Sequence, residues 1–433
     1  MLKGIHVPHR KHTANTKAVR MTAPTSVTIP MSMHIGKPAT PIVKVGDEVK
    51  VGTLIGEQNG FISSPIYSSI SGKVTKISEI LLSSGAKGEA ITIESDGLMT
   101  PDPSITPPTI NSLEDMVEAI KKSGIVGLGG AGFPTYVKFN VDPEKVSELI
   151  INGAECEPYI TSDSNTMENQ YEDMAPGIDL IAKYLKIDRI IIGIESNKKK
   201  SIASMKALAA KDSRIIVKTL PSIYPQGGEK VLVYHTTGKV IPMGKLPIDV
   251  SCIVCNCTTV AAIGNFSKTG MPLVKKCVTV DGAAIKEPKN VITPIGTSIS
   301  DLVSFCGGLN FEPYKVLYGG PMMGISVPDM NAPILKNTNA ILALSEKEAR
   351  IPEPSACIRC GSCLNTCPFG INPAGIANAL AKKDFETVEA LGVNLCMECG
   401  CCSFVCPARI PLVQKNKLAK AALREEKNKE AQK

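Results

Sequence analysis

From about Val27 to Ser95 the chain is built of short apolar stretches (SVTIPMSMHIG, TPIVKVGDEVKVGTLIGE, GKVTKISEIL, EAITIES) broken by Gly, Pro and Ser, which predicts an all-β unit. The period then changes. Ser112 to Lys122 has helical spacing, and beyond a Gly-rich stretch strand-like and helix-like segments alternate. Glu148 to Asn152 reads as a strand, Glu172 to Leu185 as a helix, Arg189 to Ile194 as a strand, Lys198 to Lys211 as a helix and Arg214 to Leu220 as a strand. This alternation predicts one half of a doubly wound parallel sheet. From about Met271 to Val327 strands return around one short helix starting near Ser298, whose Ile299, Leu302 and Val303 mark a core face. Met322 and Met323 in that stretch read as gap-filling core. The last part is helical in Ala374 to Lys382 and Phe385 to Leu391, and ends in a charged helix from Pro411 with Leu412, Leu418, Ala422 and Leu423 on its apolar side.

A length of 433 residues implies roughly three domains, or four small ones. The divisions are a basic arm (1–26), a β domain (27–100), a linker with four prolines in PDPSITPP (101–111), the alternating α/β domain (112–265), a second β-rich domain (266–344) and a cysteine-rich helical domain (345–433). No apolar run reaches about eighteen residues, so no helix spans a bilayer. The N-terminus has no apolar segment behind its basic residues, which argues against a secretory signal and for the cytoplasm. The absence of Trp leaves few stacking platforms for single-stranded nucleic acid. Part of the net charge of +7 sits on Lys3, Arg10, Lys11, Lys17 and Arg20 with no acid among them. That arm reads either as a docking element for an acidic partner or anionic membrane surface, or as a solvated terminus.

The candidate chemistry is densest near the C-terminus, where C-x2-C-x2-C-x3-C-P occurs twice. Cys357, Cys360, Cys363 and Cys367 precede Pro368, and Cys396, Cys399, Cys402 and Cys406 precede Pro407. In two-cluster ferredoxins the fourth cysteine of each run crosses to the other cluster. The expected groups are therefore Cys357, Cys360, Cys363 with Cys406, and Cys396, Cys399, Cys402 with Cys367, each holding a [4Fe-4S] cluster. Structural zinc normally pairs two C-x2-C knuckles and has no use for the third cysteine and trailing proline. The long helical spacer between the runs points to an α-helical ferredoxin, and a reducing compartment fits cysteines in cluster spacing. Cys401 has no place in the pattern. Cys252, Cys255 and Cys257 lack an evident fourth ligand and read as structural.

Gly127, Gly129 and Gly132 match G-x-G-x-x-G, whose glycines let a backbone approach a phosphate. A helix rather than a strand precedes them, and Pro134 follows closely, unlike a Rossmann fingerprint. The heptapeptide Gly129-Gly130-Ala131-Gly132-Phe133-Pro134-Thr135, with Lys138 beyond it, resembles the flavin-binding loop of the NADH-oxidising flavoprotein subunit of respiratory complex I. Further stretches resemble that family in the same order. They are Asn152-Gly153-Ala154-Glu155-Cys156-Glu157-Pro158, Tyr224-Pro225-Gln226-Gly227-Gly228-Glu229 and Asn256-x-x-Thr259. Position 154 is Ala where the complex I pattern has Asp. The resemblance implies FMN and NAD(H) bound at Gly127, Gly129, Gly130, Ala131, Gly132, Phe133, Lys138, Asn152, Glu155, Glu157, Gly227, Gly228, Glu229, Asn256 and Thr259. Glu155 and Glu157 would accept from ribose or nicotinamide donors. No side chain is required as a catalytic acid or base, since positioning and potential tuning suffice.

The all-β unit resembles a biotinyl/lipoyl-type barrel-sandwich domain through Val45 to Val49, Val51 to Gly56 and Ser71 to Val74. Its hairpin, Gln58 to Ser64, has no lysine to modify, so the domain reads as a structural or docking module. The second β-rich domain resembles the β-grasp domain that follows the flavin domain in complex I. The order barrel-sandwich, flavin domain, β-grasp, dicluster ferredoxin is similar to the RnfC family, a component of the membrane-bound Rnf ferredoxin:NAD oxidoreductases that couple electron transfer to ion translocation. That resemblance implies a peripheral NAD(H)-site subunit on the cytoplasmic side of the membrane, held by partner subunits that include a ferredoxin-like one. Proteobacterial members often carry a long C-terminal extension, which is missing after Lys433, as in shorter versions. A cobalamin reductase would place the barrel-sandwich module at the C-terminal end. A soluble hydrogenase-type flavoprotein subunit would carry a single C-x2-C-x2-C motif. A non-catalytic electron wire or scaffold is the third alternative.

Overall fold

A computed structural model describes residues 2–431. The all-β unit consists of two sheets facing one core. One has the antiparallel order Ser26–Pro30, Lys87–Ser95, Gly72–Leu81, Glu48–Val49, and the other Thr40–Pro41, Leu54–Glu57, Ile66–Tyr67. Val27, Ile29, Val74, Ile91 and Ile93 of the first sheet and Ile55 and Ile66 of the second point inward and are buried, as period-two alternation requires. The lysine-free hairpin is not free. Gln58 Nε2 donates to the Tyr136 hydroxyl at 2.9 Å, that hydroxyl donates to the Phe61 carbonyl, and Ile35 N–H donates to the Gly132 carbonyl at 3.1 Å. The module is thus docked within its own chain, against the Gly-rich stretch.

The α/β domain opens with helix α1 (Leu113–Lys122), started by a reciprocal capping box between Ser112 and Asp115. Its sheet contains β1 (Glu148–Asn152), β2 (Ile190–Glu195), β3 (Ile215–Leu220) and β4 (Cys252–Asn256), all parallel in the order β3-β2-β1-β4. The further helices of this domain are α2 (Thr135–Phe139), α3 (Ser162–Asn169), α4 (Tyr171–Leu185), α5 (Lys199–Ala209), α6 (Glu229–Thr237) and α7 (Cys257–Thr269). The runs of isoleucine in β1 and β2 are buried on both faces, as a helix-covered parallel sheet demands. Leu149 and Ile151 pack toward α4 and α7, while Ile150 and Val254 pack on the other face toward α6. Gly264 permits the crossing of α4 and α7, because a Cβ there would lie 1.9 Å from the Asp173 carbonyl oxygen. Strand β4 and helix α3 were not expected from the sequence pattern.

The β-grasp region forms a six-stranded sheet. Its order is Val19–Arg20, Lys289–Pro294, Lys275–Asp281, Ala340–Leu344, Lys315–Tyr318, Ile325–Ser326. The helix Ile299–Phe305, capped by Ser298, buries Ile299, Leu302 and Val303 as expected. Met322 and Met323 do not fill the core: Met323 is 45% exposed, and the pair instead presents backbone N–H groups to Glu157.

The N-terminal arm supplies the edge strand Val19–Arg20, and two of its cations are engaged inside the chain. Arg10 donates to the Tyr159 hydroxyl at 2.7 Å and pairs with Glu348. Lys11 Nζ donates to the carbonyls of Glu155 and Glu157 at 2.9 and 2.7 Å and to that of Ile160. Burial, with Lys198 nearby, pushes the Lys11 pKa down to about 8.

The cysteine-rich part is helical, with Pro373–Ala381 and Phe385–Ala390 between the two runs and Leu412–Ala431 after them. No strand occurs among its described residues. In the last helix Leu412, Asn416, Ala419 and Leu423 are buried, whereas Leu418, expected on the apolar side, is 62% exposed. No described helix is long and apolar enough to cross a membrane.

Candidate flavin loop and cysteine cavity

Between α1 and α2 the chain makes a loop whose base is closed by Gly127 N–H donating to the Phe133 carbonyl at 2.8 Å. Leu128 N–H donates to Thr259 Oγ1 at 2.9 Å, seating the loop on the first turn of α7. A Cβ on Gly129 would lie 2.4 Å from Asn256 Nδ2, so glycine is required for that approach, and Gly132 has φ +71°. The N–H groups of Gly129, Gly130, Ala131, Gly132 and Phe133 find no acceptor among the described residues. A run of unpaired amides is an anion-binding concavity. A Cβ on Gly130 would meet no atom within 4 Å, so that side of the loop is open.

The loop stands where the strand order reverses. Strands β1 and β4 are neighbours, with Asn152 opposite Asn256 at their carboxyl ends, and open α/β sheets bind ligands at such a crevice. Asn256 caps α7, its Oδ1 accepting from the N–H groups of Thr258 and Thr259 at 2.9 and 3.3 Å. Its Nδ2 donates to Asp163 at 2.8 Å. Asn152 Nδ2 donates to the Gly227 carbonyl at 2.9 Å, tying the first strand to the second Gly loop. Lys138 Nζ reaches Glu229 at 3.2 Å and the Val254 carbonyl at 3.1 Å, so α2, α6 and β4 converge. Gly228 abuts Met397: a Cβ there would be 2.1 Å from the Met397 methyl.

Two expected ligand residues are committed elsewhere. Glu155 is buried and accepts from Asp163 N–H at 2.7 Å, Ser164 Oγ at 2.8 Å and Lys198 Nζ at 3.3 Å. It thereby answers the orphan amides at the start of α3 rather than a bound ribose. Glu157 accepts from Met322 and Met323 N–H at 3.1 and 2.8 Å and joins the flavin domain to the β-grasp domain. Burial raises its pKa to about 7, against those two amide bonds. Asp163 and Lys11 stand beside the site without having been expected there. Asp163 lies in a polar S-D-S run and Lys11 in a basic one, and in the sequence both look like solvent-facing residues.

Cys252, Cys255 and Cys257 are buried in apolar clusters of the flavin domain. Burial pushes the Cys252 thiol up to about 11 and that of Cys255 up to about 12, which suits inert core thiols. In the helical part, Cys367, Cys396, Cys399 and Cys402 line one cavity together with Met397, Gly400 and Asn416. These are three cysteines of the second run and the last of the first, the crossed set. Cys363 and Cys406 pack on the other side in a second apolar cluster, while Cys357 and Cys360 are exposed. No three Cys, His, Asp or Glu among the described residues stand at the spacing of a bound ion, so the structure gives which cysteines share a cavity. Cys401 is buried at the seam with the flavin domain, beside Tyr224 and Cys399.

Four family models match the chain in succession. They are the RnfC barrel sandwich hybrid domain over residues 1–98, the Nuo51 FMN-binding domain over 120–265, the SLBB domain over 277–326 and a 4Fe-4S dicluster domain over 356–411. Among similar proteins are the RnfC components of the Na(+)-translocating ferredoxin:NAD(+) oxidoreductase complex of Acetobacterium woodii and of the proton-translocating complex of Clostridium ljungdahlii. The first is 43% identical over 89% of this chain and 88% of its own, and the second 41% over 88% and 84%. The corresponding component of the ion-translocating oxidoreductase complex of Rhodobacter capsulatus is 37% identical over 99% and 84%. An air-oxidised NAD+-reducing [NiFe]-hydrogenase shares the fold, with a TM-score of 0.51 at 18% identity over 73% of this chain and 64% of that one. With these domains in this order and relatives aligned along most of their length, the chain belongs to the RnfC family of ion-translocating ferredoxin:NAD oxidoreductase complexes.

Proposed function

We propose that this chain is the NAD(H)-facing, peripheral subunit of a membrane-bound ion-translocating ferredoxin:NAD oxidoreductase, on the cytoplasmic side, with a ferredoxin-like subunit among its partners. The observation that carries the reading is the run of unpaired amides from Gly129 to Phe133 at the switch point of a parallel sheet, one contact (Gly228 to Met397) from a crossed cysteine cavity. The amides of Gly129 to Phe133 hold the flavin phosphate, with Gly127 closing the loop and Thr259 and Asn256 fixing it on α7. Lys138, paired to Glu229, supplies positive charge beside the site. Asn152, Gly227 and Gly228 shape its wall, and Glu155 and Glu157 act by holding that wall in place. FMN, when bound, supplies the exchange between a hydride from NAD(H) and single electrons. The eight cysteines hold two [4Fe-4S] clusters that carry those electrons.

Purification without oxygen followed by flavin, iron and sulfide analysis tests this, together with NADH-dependent reduction of an artificial acceptor. Gly130→Val provides the sharp control, because its side chain enters space that no protein atom fills. The variant is expected to keep its fold and cluster absorbance and to lose FMN binding and NADH activity at least tenfold, the cost of about 1.4 kcal/mol or more of steric exclusion. Zinc in place of iron, or unchanged flavin binding in that variant, overturns the reading.

A further inference from the structure

The amides of the flavin loop face inward unpaired because its carbonyls are held from outside, and two of the holders come from the β-grasp domain. Asn337 Nδ2 donates to the Gly130 carbonyl at 2.8 Å. Its neighbour Lys336 is fully buried and donates through Nζ to the Gly124 carbonyl at 2.7 Å, to the Pro65 carbonyl at 2.7 Å and to Ser64 Oγ at 3.0 Å. In a trans peptide the carbonyl and the following N–H point in opposite directions. Fixing the Gly130 oxygen toward Asn337 therefore aims the Ala131 N–H the other way. The Ile35 amide does the same at the Gly132 carbonyl, and so orients the Phe133 N–H. Glycine-rich backbone has wide conformational freedom, so these outside bonds are what select one orientation.

We infer that Asn337, more than 200 residues from the loop in sequence, is a positioning residue for the flavin phosphate, and that the β-grasp domain is part of the cofactor site. The inference rests on FMN lying against the Gly-rich loop as proposed above. It assigns to this domain a task beyond joining the flavin and cluster domains: it orders the phosphate cradle before the cofactor arrives.

The test titrates FMN, and separately riboflavin, into the flavin-depleted full chain and follows flavin fluorescence. Asn337→Ala is expected to weaken FMN about two- to tenfold, the range for one lost neutral hydrogen bond, and to leave riboflavin unchanged, because the Ala131 amide serves the phosphate. Asn337→Asp, of the same shape but with an acceptor facing the Gly130 oxygen, is expected to lose more. Asn310→Ala removes bonds to the Ala283 and Ile285 carbonyls elsewhere in the same domain and is expected to bind FMN normally. Wild-type FMN affinity in Asn337→Ala, or equal losses of FMN and riboflavin, or an equal loss in Asn310→Ala, overturns the inference. If Asn337→Ala binds normally while Gly130→Val does not, this inference alone fails; if both bind normally, the loop assignment fails with it.

Discussion

At the scale of single residues, Lys336 shows how a charge is used to join domains. Its Nζ is bonded to oxygens of the barrel-sandwich module and of the flavin domain, and burial pushes its pKa down from 10.5 to about 7. Between those values the unfolded chain holds one more proton than the folded one, so raising the pH favours folding. Lys336→Met strands three acceptors and is expected to cost about 2 to 4 kcal/mol at pH 7. The stability gap between wild type and variant should widen from pH 7 toward pH 10, by on the order of 1 kcal/mol per pH unit at most. Urea unfolding of both proteins at pH 7, 8 and 9 checks this; a gap that narrows with rising pH contradicts it. Nothing in PILKNTNA distinguishes this lysine from a solvent-facing one, because its acceptors are supplied by segments 212 to 272 residues away.

At the scale of elements, the patterns legible in the sequence were those fixed by local apolar period. The isoleucine runs of β1 and β2 and the Ile299, Leu302, Val303 stripe stand as read. Strand β4 was hidden because CIVCN is short and carries two cysteines, and helix α3 because SDSNTMEN is polar although six of its eight residues are buried. Its polar groups find partners only in the folded chain: Glu155 for Asp163 and Ser164, and Thr258 for Thr166. In the last helix hydropathy chose Leu418, but the buried position is Asn416, whose Nδ2 lies 3.8 Å from Cys396 Sγ. The glycine and cysteine motifs were legible because their chemistry demands fixed residues at fixed spacing, whereas the two glutamates were legible as residues but not in role. The arm is the clearest case of tertiary context overriding composition. Deleting residues 2–16 removes the Lys11 bonds to the Glu155, Glu157 and Ile160 carbonyls and the Ile5 pairing with Tyr224. Amide exchange in 153–160 and 222–228 is expected to rise by one to two orders of magnitude, about 1.4 to 3 kcal/mol of lost local protection, with exchange in β2 unchanged. Unaltered exchange in both segments would return the arm to a solvated terminus.

At the scale of the whole molecule, the crossed cysteine runs give the helical domain two unlike ends. The cavity of Cys367, Cys396, Cys399 and Cys402 faces the flavin domain: Met397 lies against Gly228, and the Tyr224 hydroxyl donates to the Cys399 carbonyl at 2.7 Å. Cys357 and Cys360 lie at the opposite extreme, exposed on a stretch that also shows Ile351 and Ile358 to solvent, 70% and 68% exposed. A domain so built passes electrons in sequence, since only the inner group adjoins the flavin site. Cys367→Ala and Cys360→Ala are each expected to lower iron from about eight to about four atoms per chain, one cluster of two. They differ in what NADH then does. In Cys360→Ala the remaining cluster is the inner one and is reduced by NADH, seen as an electron paramagnetic resonance signal. In Cys367→Ala the remaining cluster is the outer one, cut off from the flavin, and stays silent with NADH while still responding to dithionite. Cys401→Ala, which alters a buried thiol with no place in either set, keeps all the iron. An NADH-reducible cluster in Cys367→Ala would mean that the outer group reaches the flavin by itself, and the two-ended order would fall.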